Sequence, residues 1–278
     1  VKRKWLKILA GALGIGILLW LAVFANSLVG NPVSRALVRR GASGLLAREH
    51  PGTDYTVGDV GFDFKSGGYW AHVQSPSSPD SAFSVYLDGL GRVRFDTYEE
   101  AVLRRGNTAR RLDGAYREAA QAVLRSPAFP YALDIGFAQL EFRDSDYPYA
   151  IPPEELELDG TYDLAELGRR AGRLVIYFQD EDRTAERLAV LLPEVKARLE
   201  AAGVCFRGVD AVIRAPKPED GSPWSEEQFN VLDFPAAEID GPDLAERLAA
   251  ADAAAKEYYA RMDAETAALI PQAAHTGG

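Results

Sequence analysis

The densest run of groups able to do chemistry is Gln179-Asp180-Glu181-Asp182-Arg183. Adjacent carboxylates can ligate a divalent cation through oxygen, or divide the work of general acid and general base. An oxygen-rich calcium loop also needs a glycine at its sharp turn, and this run contains none. The competing explanation is local. The run lies just ahead of the strongest helical pattern in the chain, residues 183–202. Negative charge is favoured at a helix N-terminus, and Asp182 is the expected N-cap. The sequence favours this structural role over catalysis.

Other reactive groups are sparse. The three histidines, His50, His72 and His275, have no metal-ligand spacing. His50 and His72 are expected at a surface or a sheet edge. The single cysteine, Cys205, precedes Phe206 in an apolar run and is expected as a buried small hydrophobe. No phosphate-binding loop, zinc-protease helix motif or nucleophile elbow occurs. No catalytic residue, cofactor or metal ligand is therefore assigned. Exposed aromatics on proline-rich loops are the remaining candidates. Tyr147 and Tyr149 flank Pro148, and Trp224 follows Pro223, so these three form a candidate recognition surface. Trp224 also precedes the capping-type sequence Ser225–Gln228, where it could act as a hydrophobic staple.

Charge narrows the classes of partner. Four of the 31 basic residues lie within residues 1–26, which hold no acid; the other 27 face 41 acidic ones, so residues 27–278 carry −14. Such a body is repelled by nucleic acid and by an anionic membrane surface. Nucleic acid is not an expected partner.

The elements that would position these groups begin with an apolar segment. Ile8 to Ala25 are 18 residues without a charge, about 27 Å of helix and close to the hydrocarbon thickness. Trp5 sits at its basic edge, where an indole suits the headgroup level. The segment predicts a transmembrane helix over 8–29, preceded by a short basic cytoplasmic end, 1–7. Val23 and Ala25 are small enough for signal cleavage after Ala25, which would release a secreted protein; length favours the anchor. The basic bias places the N-terminus inside and the main body outside the cytoplasmic membrane.

Beyond the segment, Pro32 opens a helix over 33–48, with Val33, Leu37, Gly41, Gly44 and Leu45 on one stripe. Alternating patterns from Asp54 to Leu87, slipping at Gly58, predict a meander of three or four strands, with a hairpin turn at Gly67-Gly68 and a polar loop over 75–80. Thr97 and Glu100 form a capping box that opens a helix of about 27 residues. Residues 126–130 then break the chain. The second half reads β-α-β-α-β-β, with Leu133, Ile135 and Phe137 turned inward, Asp163 capping a short helix and Gly203 ending a longer one. The fold class is α+β, a transmembrane helix followed by two small domains, each an antiparallel sheet packed with helices. The domains are 30–127 and 128–241, with a C-terminal helix and frayed tail over 242–278.

The order of these pieces carries a resemblance. An N-terminal apolar segment followed by "GNPVSRAL", by "YTVGDVGFDFKSGGYWAHV" and by "LDGTYDLAELGRRAGRLVIYF" resembles the YfjL-like proteins, membrane-anchored proteins of Gram-positive bacteria. The resemblance implies fold and location. It carries over no catalytic residues.

The expectation is a single-pass, extracytoplasmic protein that binds the bilayer through residues 8–29 and acts as a non-catalytic module toward an envelope protein or polymer. Two other readings stand beside it. One is an envelope hydrolase working through Asp180 and Asp182. The other is a regulatory anchor whose residues 2–7 touch a cytoplasmic partner.

Overall fold

The computed structural model describes residues 4–5, 11–17, 20, 24, 30–143, 149–218, 225 and 227–269. These fall into two compact units. The first takes residues 1–108 with 156–160, and the second takes 109–155 with 161–278. Residues 109–127, assigned to the first domain from sequence, thus group with the second unit, as does the C-terminal helix. Among the described residues, no helix is long and apolar enough to cross a membrane. Most of the expected span over 8–29 lies outside the described residues.

In the first unit, α1 (Pro32–Glu49) starts where the sequence indicates. The Asn31 side chain accepts the Ser34 N–H at 2.7 Å, and Pro32 stands at the first turn, where its missing N–H costs nothing. The buried stripe is Val38, Ala42, Leu45 and Leu46. The expected stripe is rotated from this, and Val33 is 70% exposed. Gly41 explains the offset. A Cβ there would strike the Gly91 carbonyl oxygen, and one on Gly91 would strike the Leu37 carbonyl. Helix backbone and turn backbone meet directly, so this contact selects for the smallest residue and not for apolar bulk.

The sheet is β1 (Thr56–Asp63), β2 (Gly68–Ser75), β3 (Ser78–Leu87) and β4 (Val93–Asp96), antiparallel and in sequence order. Its register shifts between Val57 and Val60, at the slip foreseen around Gly58. The expected polar loop over 75–80 is shorter, because pairing continues to Ser75↔Ser78. Tyr69, Ala71, Val73, Phe83, Val85 and Leu87 pack with the α1 stripe as the core.

The long helix expected from Thr97 does not form. Thr97 Oγ1 accepts the Ser84 N–H at 3.0 Å, so its side chain serves the sheet and not a cap. A π-helical turn, Glu99–Leu103, follows, and Arg105 then turns the chain with φ of 60°. The Arg105 guanidinium donates to the carbonyls of Val102 at 2.6 Å and Leu156 at 3.2 Å. Only then does α2 (Gly106–Leu124) begin. Residues 156–160 complete this unit. Asp159 accepts the Asp80 N–H at 2.8 Å and the Ser78 hydroxyl at 2.5 Å, and Leu158 packs on the core.

The second unit holds β5 (Leu133–Leu140), α3 (Leu164–Ala171), β6 (Gly172–Gln179), α4 (Ala185–Ala201), β7 (Gly208–Arg214), β8 (Gln228–Pro235) and α5 (Leu244–Leu269). This is the predicted element order. The sheet runs β5-β6-β7-β8 and is mixed, not purely antiparallel, because α4 carries the chain over so that β7 lies parallel to β6. One face presents buried Leu174, Ile176, Phe178, Val209, Ala211, Ile213 and Val231. The buried α4 stripe of Leu188, Leu191, Leu192, Val195 and Leu199 adds to the unit's apolar core.

On β5 Leu133 faces inward as expected, opposite Phe178, but a register shift between Leu133 and Ile135 reverses the face beyond it. Ala138 and Leu140 are buried, and Ile135 is exposed. Gly136 comes to the inward side, where it sits against Leu133 and Leu124. Tyr116 of α2 is fully buried, and its hydroxyl donates to the Cys205 carbonyl at 2.5 Å. Gly168 and Gly172 leave the space that its ring and hydroxyl fill.

On each edge strand of this sheet a helix-borne acid takes up one backbone N–H. Asp113 of α2 accepts the Leu140 N–H at 2.8 Å, and Asp252 of α5 accepts the Asn230 N–H at 2.9 Å.

Candidate functional site

The sequence-singled residues separate on inspection. Asp180 continues from β6, and its N–H donates to the Arg214 carbonyl at 2.9 Å. Its carboxylate accepts Nε of Arg187 at 2.8 Å and the Asp182 N–H at 3.0 Å. Burial pushes the Asp180 carboxyl up, but the bonds from the Asp182 amide and the Arg187 guanidinium outweigh that and hold it below its ordinary value. Asp182 is not the N-cap. Thr184 is, accepting the Arg187 N–H at 3.2 Å, while Asp182 accepts the Thr184 hydroxyl at 2.6 Å. The acidic run is thus an interlocked helix entry. Among the described residues, no group of three or more His, Cys, Asp or Glu is placed to hold a metal.

Cys205 is buried, as expected. His50 is not a simple surface group. It lies half-buried among Tyr55, Phe83 and Tyr98, with ring centroids 4.4 to 5.5 Å away. Tyr147, Trp224 and His275 lie outside the described residues.

Tyr149 is described, and it leads to a site. The Arg207 guanidinium stacks on its ring, 3.9 Å from the centroid. Arg207 pairs with Asp233, whose N–H donates to Asp210 Oδ1 at 2.8 Å. Asp210 Oδ2 accepts Nε and Nη2 of Arg173 at 2.7 and 2.6 Å. The resulting ladder of alternating charge spans β6, β7 and β8.

Local backbone features aim the ladder. Leu232 and Asp233 form a bulge opposite Asp210, where the register shifts between Val209 and Ala211. Asp233 has φ of 46°, a left-handed conformation that aspartate tolerates better than most residues. Gly208 is needed beside it, since a Cβ there would come within 2.8 Å of Asp233 Oδ1.

Arg173, Asp210 and Asp233 of the ladder line a cleft of about 1010 Å³ between the outer face of this sheet and α5. That volume matches the upper range of small-molecule sites, about 300–1,000 Å³. Arg173, Tyr177, Asp210 and Asn230 come from the sheet, and Tyr258 and Tyr259 from the helix. A run of alanines, including Ala250, Ala251 and Ala254, keeps α5 slim where it borders the cleft. At the far end Arg247 donates to Glu238 Oε2 at 3.0 Å and to the Glu238 carbonyl at 2.7 Å. Asn230 is 94% buried by its 6% exposure, and its carboxamide oxygen has no hydrogen-bond partner.

Sequence reasoning missed this site. Its signal was polar residues at alternate positions of three apolar strands, Arg173 and Tyr177, Asp210, and Asn230. That pattern marks a solvent-facing sheet surface but does not reveal the helix that makes it concave.

Two family models match the chain. Residues 2–97 match the profile described as "YfjL-like, N-terminal domain", and residues 115–249 match that of the "YfjL-like C-terminal domain". A crystal structure of a DUF5037 family protein from Ruminococcus gnavus is similar at 13% sequence identity, covering 64% of this chain and 74% of that one, with a TM-score of 0.20. None of the curated proteins matches this chain.

Proposed function

The chain belongs to the YfjL-like family, and from that premise we propose that this protein is a membrane-anchored binding module. Residues 8–29 are its anchor, the N-terminus faces the cytoplasm, and the body lies outside. The cleft of the second unit is its binding site.

The observation that carries the binding role is the state of the cleft's ionic groups. Arg173 is paired with Asp210, Asp233 with Arg207, and Arg247 with Glu238. Groups locked to one another offer shape and hydrogen bonds, which suits recognition. Asp180 and Asp182 are occupied in the entry to α4, which draws them away from the hydrolase reading.

The anchor is supported by the 18 uncharged residues from Ile8 and by the side chains described within them. Leu13, Ile15, Ile17, Trp20 and Phe24 are each at least half exposed in the chain on its own. Such apolar surface suits hydrocarbon.

A topology reporter fused after Gly278 tests the reading. Activity only outside the cytoplasm, with the fusion recovered in the membrane fraction, is the expected result. Activity only inside overturns it.

A further inference from the structure

We propose that the cleft between the β6-β7-β8 face and α5 binds an uncharged glycan segment. The inference rests on the reading above in taking the cleft as the binding site, and it names the ligand class.

Four observations converge on that chemistry. The cleft's arginines and acids form internal pairs, so an ionic ligand would have to displace a partner already in place. The −14 charge on residues 27–278 repels polyanions. A peptide added as an extra strand needs a bare sheet edge, but Asp113 and Asp252 occupy edge N–H groups of β5 and β8. What the cleft offers is planar hydrogen-bonding groups beside aromatic rings. Tyr177 lies on its floor, and Tyr258 and Tyr259 stand on its rim, 44% and 45% exposed. A pyranose ring fits this pairing, because its C–H face packs on an aromatic ring while its rim hydroxyls or acetamido group hydrogen-bond to flat polar side chains.

Asn230 sharpens the assignment. Its buried carboxamide oxygen has no partner, and a buried acceptor left in that state is costly. A ligand hydroxyl or amide N–H would satisfy it after a small rotation of the carboxamide. A purely apolar ligand would leave it unpaired.

The test uses the full chain in a zwitterionic detergent without a sugar headgroup, titrated calorimetrically. The probes are an N-acetylglucosamine tetramer, a glucose tetramer with the same β1→4 linkage, and a tetra-alanine peptide as the non-glycan control. Saturable heat with at least one glycan and none with the peptide is expected, and comparison of the glycans separates an acetamido donor from a hydroxyl donor. Asn230→Ala and, separately, Tyr258→Ala should each weaken binding at least tenfold, with circular dichroism confirming the fold. Tyr258 is exposed, so its variant remains informative if Asn230→Ala does not fold. Absence of binding to both glycans, binding of the peptide alone, or glycan binding that Tyr258→Ala leaves unchanged overturns the proposal. The reporter after Gly278 is read in parallel. An outside reporter without glycan binding removes the ligand class alone, and an inside reporter removes the anchored module whatever the cleft binds.

Discussion

Asp252 on α5 accepts the backbone N–H of Asn230 on edge strand β8 at 2.9 Å, and Lys256 one turn on donates to the same carboxylate at 2.6 Å. Edge strands expose donors that can recruit another chain, and here a side chain takes up one of them. Asp252→Ala leaves that N–H buried without an acceptor, so urea unfolding should show a loss of about 1–3 kcal/mol. Asp252→Asn keeps an oxygen in place and should lose much less. Lys256 is 66% exposed, so the ion pair itself contributes little.

Acid should weaken the entry to α4 in a defined window. The Asp180 carboxyl lies below its ordinary value of 3.8 in the folded chain. A carboxylate depressed by folding contributes stability that is complete above the unfolded value and is lost as pH falls through the folded one. The stability gap between the native protein and Asp180→Asn should therefore be constant from neutral pH down to about 5 and shrink below about 4. A gap that widens on acidification would contradict the Asp180–Arg187 assignment.

Two glycines in α1 should respond oppositely to alanine. Gly41→Ala drives a methyl into the Gly91 carbonyl and should destabilise by about 1–3 kcal/mol, read from the urea midpoint. Gly44 has nothing within 4 Å of an added Cβ, so Gly44→Ala should stabilise by up to about 1 kcal/mol through helix propensity.

What was readable in the sequence was chemistry that acts over a few residues. Pro32 at the start of α1, Asp163 ahead of α3 and the slip near Gly58 each appear where their local signals put them. The failures share a cause. Thr97 has the sequence of a cap, but its hydroxyl is taken by Ser84 across the sheet. Ile135 and Phe137 look like core, but the register shift between Leu133 and Ile135 brings Gly136, Ala138 and Leu140 inward in their place. The cleft was invisible because Arg173, Asp210, Asn230 and Tyr258 meet only after three strands and a helix assemble. Tyr149 was found, but its link to the cleft runs through Arg207 and the bulge at Asp233, which no linear pattern announces.

The short return of residues 156–160 bears on how the protein is made. The amide of Asp80 and the hydroxyl of Ser78 wait for the carboxylate of Asp159, and Arg105 waits for the carbonyl of Leu156. Translation runs from the N-terminus, so a nascent chain released from the ribosome exit tunnel as far as residue 127 carries the whole first sheet but lacks these partners. The first unit matures only after about 30 further residues have emerged, and a truncated or proteolysed chain ending between strands β4 and β5 would hold it permanently one step short.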